Sequence, residues 1–138
     1  PAKKADTELQ ATGYIYAYPL MEPQPYASRM QDETIQQIEA AHPMFIVFAQ
    51  IGASWLIRPQ SDKKILDWGN RYTQRCYDLV GVADILAKDR TQYAWDDQVR
   101  GYQPVSKNVV LTFRRKSDAP CAAGPVERPA GGHEPRGG

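Results

Sequence analysis

The chain has 138 residues, of which 42% are hydrophobic and 24% are charged, and its 17 basic and 16 acidic residues give a net charge of +1. This length and composition are typical of one folded domain and exclude a fibrous or generally disordered protein. The near-neutral charge argues against nucleic acid or an anionic membrane surface as a partner. No apolar run in the sequence approaches the roughly 20 residues that a membrane-spanning helix needs.

The first predicted element is a strand from Gly13 to Tyr18, because tyrosines alternate there with small and aliphatic residues. Three prolines between positions 19 and 25 then predict an extended loop. Ser28 and Gln31 have the spacing of a capping box, in which each side chain bonds to a backbone N–H at the start of a helix. A helix from about Arg29 to Ala41 is therefore predicted.

A buried central strand is predicted from Met44 to Ala49, since this apolar run lies between a proline and a glycine. A strand, a helix and a buried strand in close succession predict a right-handed crossover, and therefore a parallel strand pair. The predicted fold class is α/β: a small, mainly parallel, Rossmann-like twisted sheet of about four to five strands with two main helices.

The second half of the chain adds one helix and three strands. Ser61 can cap a helix whose apolar residues recur at intervals of three and four. Residues 96–107, between the last two strands, are predicted to form a loop. The predicted bounds are Asp62 to Arg75 for the helix and Tyr77 to Leu86, Thr91 to Trp95 and Asn108 to Arg115 for the strands.

The predicted α/β domain covers residues 11–116, after a short irregular segment at residues 1–10. Residues 117–138 are rich in proline, glycine and alanine and are predicted to be a disordered tail. Cys76 lies at a predicted helix end and Cys121 lies in that tail, so no disulfide between them is expected. Cys76 is interpreted as a small buried apolar residue.

No motif in the sequence specifies a type of catalysis. The segment from Gly52 to Leu56 lacks the second glycine of a nucleophile elbow, and neither histidine is placed to act as a base for Ser54. The two histidines and two cysteines are widely scattered, so no metal site is predicted. Without a glycine-rich phosphate loop or a dinucleotide fingerprint, no cofactor is predicted either. No catalytic residue is assigned.

A ligand site is predicted from the expected topology, because open parallel sheets bind ligands beyond the carboxyl ends of their strands. Two loops are expected to leave such ends side by side. The candidate ligand-binding residues in these loops are Glu22, Tyr26, Gln50, Ser54, Trp55 and Arg58. An indole face suits a sugar ring, and a guanidinium suits a phosphate or carboxylate. The competing interpretation is that Trp55 packs in the core or its loop and that Arg58 is a surface cation.

Four segments of the chain carry a resemblance to a known family. They are residues 11–27 (ATGYIYAYPLMEPQPYA), 42–48 (HPMFIVF), 54–59 (SWLIRP) and 77–85 (YDLVGVADI). Over roughly residues 11–116 the chain resembles the soluble C-terminal domain of bacterial integral-membrane glycosyltransferases. These enzymes are of the dolichyl-phosphate-mannose-protein mannosyltransferase type, within the multi-spanning class that uses lipid-linked sugar donors.

The resemblance implies a non-catalytic accessory domain on the extracytoplasmic, periplasmic face of a membrane that helps donor or acceptor access. The implied partners are the transmembrane portion of a glycosyltransferase and a polyprenyl-phosphate sugar or its acceptor. No catalytic residue is carried over, because the acidic residues of such enzymes lie in a membrane region with no counterpart in this chain.

The amino-terminal end of the chain departs from the family pattern. Domains of this kind typically begin with a further strand and helix, whereas residues 1–10 are short, polar and charged. These residues also lack the apolar core of a secretion signal, so export is expected to depend on an upstream portion. The alternative is a free-standing small α/β protein: an interaction module, an enzyme of unrecognised type, or a truncated relative without activity.

Overall fold

The computed structural model describes residues 17–121. Four helices, a 3-10 helix and four strands make up this part of the chain. They are α1 (Tyr18–Met21), α2 (Ala27–Ala41), β1 (Phe45–Gln50), α3 (Gly52–Trp55), α4 (Lys64–Cys76), β2 (Tyr77–Ala87), β3 (Arg90–Trp95), the 3-10 helix (Asp96–Gly101) and β4 (Val109–Arg115). None of the described helices combines the length and the hydrophobicity needed to cross a bilayer.

The strands of residues 17–121 form one sheet in the order β1-β4-β2-β3, and every neighbouring pair is antiparallel. The predicted mainly parallel, Rossmann-like sheet is therefore wrong. The prediction required the helix before β1 to connect two parallel strands. Instead, β1 pairs with the last strand of the described chain, and β2 and β3 are joined by a short hairpin turn.

Within the sheet of residues 17–121, β1 is an edge strand and not the predicted central strand. Phe45 and Val47 are 51% and 64% exposed, whereas the alternate residues Ile46 and Phe48 face the helices and are half-buried. The position of the strand along the chain is confirmed to within one residue, but an apolar run alone does not show whether one face or both faces are covered. The apolar residues of β1 therefore lie on both faces of the sheet, one facing the helices and one exposed.

The predicted strand at Gly13 to Tyr18 lies outside the described residues except at its end. Tyr18 begins α1, and Pro19 occupies the first turn of this helix, where the missing N–H of proline costs no hydrogen bond. α1 buries Leu20 and Met21 against Ile65 of α4. Pro19 therefore starts a helical turn, whereas Pro23 and Pro25 lie in the irregular segment between α1 and α2.

The two long helices are confirmed near the predicted positions, but their predicted caps are wrong. α2 begins at Ala27, and no side chain caps it. The hydroxyl of Ser28 instead accepts a hydrogen bond from Lys64 Nζ at 2.7 Å. Ser61 lies before α4 without capping it, because its hydroxyl donates to the Met21 carbonyl and accepts the Arg58 N–H.

A disulfide joins Cys76, at the end of α4, to Cys121, with 5.8 Å between their Cα atoms. The expectation of unpaired cysteines is wrong, because the chain turns back after β4 and runs beside the end of α4. There the Lys116 N–H donates to the Cys76 carbonyl at 2.9 Å. Arg115 also ties β4 to the end of α2 by donating to the His42 carbonyl at 2.8 Å. The rest of the predicted tail, residues 122–138, lies outside the described residues.

Candidate functional site

A groove of about 730 Å³ lies between the helices and the inner face of the sheet. Ile46 and Phe48 of β1 and Leu111 and Phe113 of β4 form its floor. α2 and α4 form its walls, and their lining residues are mainly apolar. This volume lies within the range of about 300–1,000 Å³ that is typical of small-molecule sites.

The groove exists partly because α4 presents a glycine toward it. Gly69 lies in the middle of the helix, and a Cβ atom added there would have no neighbouring atom within 4 Å. Glycine in a helix interior destabilises the helix by about 1 kcal/mol relative to alanine. At this position the helix therefore lacks a side chain that could fill the space above the sheet.

Trp55 forms part of the wall of the groove. Its ring packs against Phe48 with 5.5 Å between ring centroids, and its indole N–H donates to the Ala49 carbonyl at 3.0 Å. The four-residue helix α3 holds it there and ends at Leu56 in a left-handed conformation with φ of 49°. Two contacts thus fix the orientation of a large aromatic face beside the groove.

The polar end of the groove lies where β1 ends and β4 begins. Gln50 is paired with Val109, and Lys107 precedes that strand by two residues. Lys107 is the one charged side chain among the described residues that line the groove. It forms no ion pair within residues 17–121. The groove therefore has a positive end and a long apolar body.

Asp84 of β2 anchors the loop that leads to Lys107. Its buried carboxylate accepts hydrogen bonds from the Tyr102 hydroxyl at 2.8 Å, the Val105 N–H at 2.8 Å and the Ser106 N–H at 3.1 Å. Burial alone would raise the pKa of Asp84, but these three hydrogen bonds outweigh burial and hold the pKa below its ordinary value. The charged form of Asp84 therefore stabilises the loop.

Acid is expected to weaken this anchor. A carboxyl whose pKa is lowered by folding contributes stability above its unfolded pKa of about 3.9 and loses it as the pH falls through the folded pKa. We expect Asp84→Asn to lower the melting temperature at pH 7 and to reduce its dependence on pH below about 4. Thermal melts of both proteins between neutral and acidic pH measure this. An unchanged acid dependence in the variant would contradict this role of Asp84.

The structure brings some of the predicted ligand-binding residues together and separates others. Trp55 and Gln50 both line the groove. Glu22 and Arg58 form an exposed ion pair at 3.1 Å. Neither residue of this pair lines the groove. The last two candidates do not line it either: Tyr26 is 65% exposed at the start of α2, and Ser54 lies in α3.

The topological reason for grouping the six residues is wrong, because an antiparallel sheet has no shared carboxyl edge. A ligand-binding role for them stays a prediction. In the described part of the chain, no three histidine, cysteine, aspartate or glutamate side chains converge as metal ligands would.

Sequence reasoning missed three residues that shape the groove. Asp84 had a usable signal, since an acidic residue at an inward position of an apolar strand is expected only where its charge is satisfied. Gly69 is visible in the sequence as an unfavourable residue inside a predicted helix, but its position facing a groove depends on the tertiary structure. Lys107 has no sequence signal that separates it from other surface lysines.

No protein-family model, no curated protein and no solved structure matches this chain. The resemblance carried by the four sequence segments stays a prediction. The function is therefore argued from the groove and from the residues that form it.

Proposed function

We propose that this chain is a non-catalytic accessory domain of a lipid-linked-sugar-dependent membrane glycosyltransferase, located on the extracytoplasmic side. In this role it assists donor or acceptor access. The observation that carries the proposal is the apolar groove of about 730 Å³, which is large enough for part of a lipid-linked molecule.

The position of the resembling segments supports this proposal. Ile46 and Phe48, in the segment at residues 42–48, line the floor of the groove, and Trp55, in the segment at residues 54–59, lines its wall. Residues that suggest the family therefore also form the groove. An apolar floor would bind hydrocarbon, and the aromatic face of Trp55 would bind either hydrocarbon or a sugar ring.

In the described part of the chain, β1 has a partner strand on one side only, and this edge favours a second function, that of an interaction module. Phe45 and Val47 are exposed there, and the strand carries no charged side chain. Sheet edges are usually protected from pairing with other chains by charges or prolines. An extended segment of another protein could add to this edge by backbone hydrogen bonds.

The proposal predicts binding without turnover. Titration of the isolated protein with a polyprenyl-phosphate mannose is expected to change its tryptophan fluorescence saturably, because Trp55 and Trp68 line the groove. No labelled mannose is expected to reach an acceptor peptide. Formation of labelled product would contradict the non-catalytic role, and an unchanged fluorescence would contradict donor binding.

Phe45→Lys separates the two functions, because Phe45 is 51% exposed on the outer face of β1 and does not line the groove. If the domain acts through its groove, this variant binds the polyprenyl compound as the wild type does. If the domain acts through its edge, the variant loses protein partners or self-association in size-exclusion chromatography.

A further inference from the structure

We infer that the groove is a binding site for a single-chain amphiphile with a carboxylate head, whose hydrocarbon chain lies on the sheet and whose head lies at Lys107. This inference goes beyond the proposed function, because it concerns a fatty-acid-like ligand and does not require a glycosyltransferase. It depends on three features: the shape of the groove, the charge at its end and the gap at Gly69.

The floor of the groove suits a linear chain. It follows β1 from Ile46 to Gln50, a distance of about 13 Å at the rise of an extended strand. Leu111 and Phe113 of β4 run alongside. A hydrocarbon chain lying along the strands would bury its length against these side chains, and burial of apolar surface supplies most of the binding free energy.

The two ends of the groove differ in charge, which gives a bound chain one direction. Ile38, Phe113 and Tyr72 line the far end, and Tyr72 belongs to the buried cluster around the disulfide. Lys107 and the amide of Gln50 lie at the near end. An anionic head would therefore be placed at Lys107, with the hydrocarbon tail toward Tyr72.

The single cation favours a head with one negative charge. A phosphate monoester carries about −1.5 to −2 charges at pH 7 and is usually held by several cations or backbone N–H groups. Among the groove-lining residues in the described ranges, Lys107 is the one cation, and the buried carboxylate of Asp84 is already satisfied by three hydrogen bonds. One lysine and one amide match a carboxylate.

The head-group assignment is tested with ligands of the same chain length and different heads. Dodecanoate, dodecanol, dodecyltrimethylammonium and dodecyl phosphate are each titrated below their micelle concentration, with tryptophan fluorescence as the readout. Lys107 is exposed, so dodecanoate is expected to bind roughly 1.4- to 5-fold more tightly than dodecanol, the range for an exposed charge pair. The ammonium compound is expected to bind more weakly than dodecanol, because its charge repels Lys107.

Two variants with matched controls test the position of the ligand. Lys107→Gln is expected to weaken dodecanoate binding to the level of dodecanol and to leave dodecanol binding unchanged. The control Lys88→Gln, in the β2–β3 turn, is expected to change the binding of neither ligand.

Gly69→Leu is expected to weaken the binding of both ligands at least tenfold, because the leucine side chain fills the groove. It should also raise the melting temperature, since leucine is a better helix former. Gly101→Leu, outside the groove, is the control.

Equal affinities for dodecanoate and dodecanol, or an unchanged affinity in Lys107→Gln, would overturn the head-group assignment. Tighter binding of dodecyl phosphate than of dodecanoate would show that the head group is a phosphate and not a carboxylate. Undiminished binding in Gly69→Leu would overturn the groove as the site. None of these results alters the test of the proposed function, which depends on the polyprenyl compound and on transfer of mannose.

Discussion

Replacement of Cys121 by serine is expected to lower the free energy of unfolding by about 3–4 kcal/mol under oxidising conditions. The disulfide closes a loop with a sequence separation of 45 residues. Opening it lets the unfolded chain explore many more conformations, so the unfolded state gains entropy. Cys121 is the better position to change, because Cys76 is buried and its substitution would also alter packing.

Urea denaturation with and without a reducing agent measures this effect. In reducing buffer the variant and the wild type should have nearly equal stability, because neither then contains the cross-link. A stability difference that persists in reducing buffer would show that Cys121 acts through packing against Tyr72 and Cys76 and not through the disulfide. Equal stabilities in oxidising buffer would contradict the prediction outright.

The second large effect is expected from Gln31→Leu, with a loss of about 3 kcal/mol. The side chain of Gln31 is fully buried and joins three segments. It donates to the Leu20 carbonyl at 2.8 Å and to the Asp62 carbonyl at 2.7 Å, and it accepts the Ile65 N–H at 2.9 Å. Leucine would leave these backbone groups without partners in a buried environment, and each such group costs about 1–3 kcal/mol.

Gln36→Leu is the matched control, because Gln36 is exposed on the same helix and the change of side chain is identical. The free energies of unfolding of the two variants, measured by chemical denaturation, should therefore differ by most of the expected loss. A small effect of Gln31→Leu would mean that water can reach the freed carbonyls. The polar groups would then be satisfied without the glutamine.

The positions of the strands could be predicted from the sequence, but their pairing could not. Alternation and β-branched residues located β2, β3 and β4 to within one or two residues. Which strand pairs with the segment from Met44 to Ala49 is decided by contacts between residues that are distant in sequence. Because both faces of that segment are apolar, its pattern is equally compatible with the centre of a sheet and with its edge.

The same limit applies to the candidate site. Trp55 and Gln50 were predicted as ligand contacts and do line the groove, although the parallel topology used to select them is wrong. Gln31 was interpreted as a capping residue because its spacing from Ser28 fits a capping box. Its amide instead bonds to α1 and to the start of α4, partners that a local pattern cannot reveal.

The covalent and polar ties at one end of the molecule have a consequence for how a ligand could enter. The disulfide, the Lys116 bond to Cys76 and the Arg115 bond to His42 fasten the ends of α2, α4 and β4 to one another. These ties lie near Tyr72, far from Lys107. For the inferred amphiphile site, local separation of the helices from the sheet is therefore expected to leave the cross-linked end in place and to admit the hydrocarbon tail from the Lys107 end.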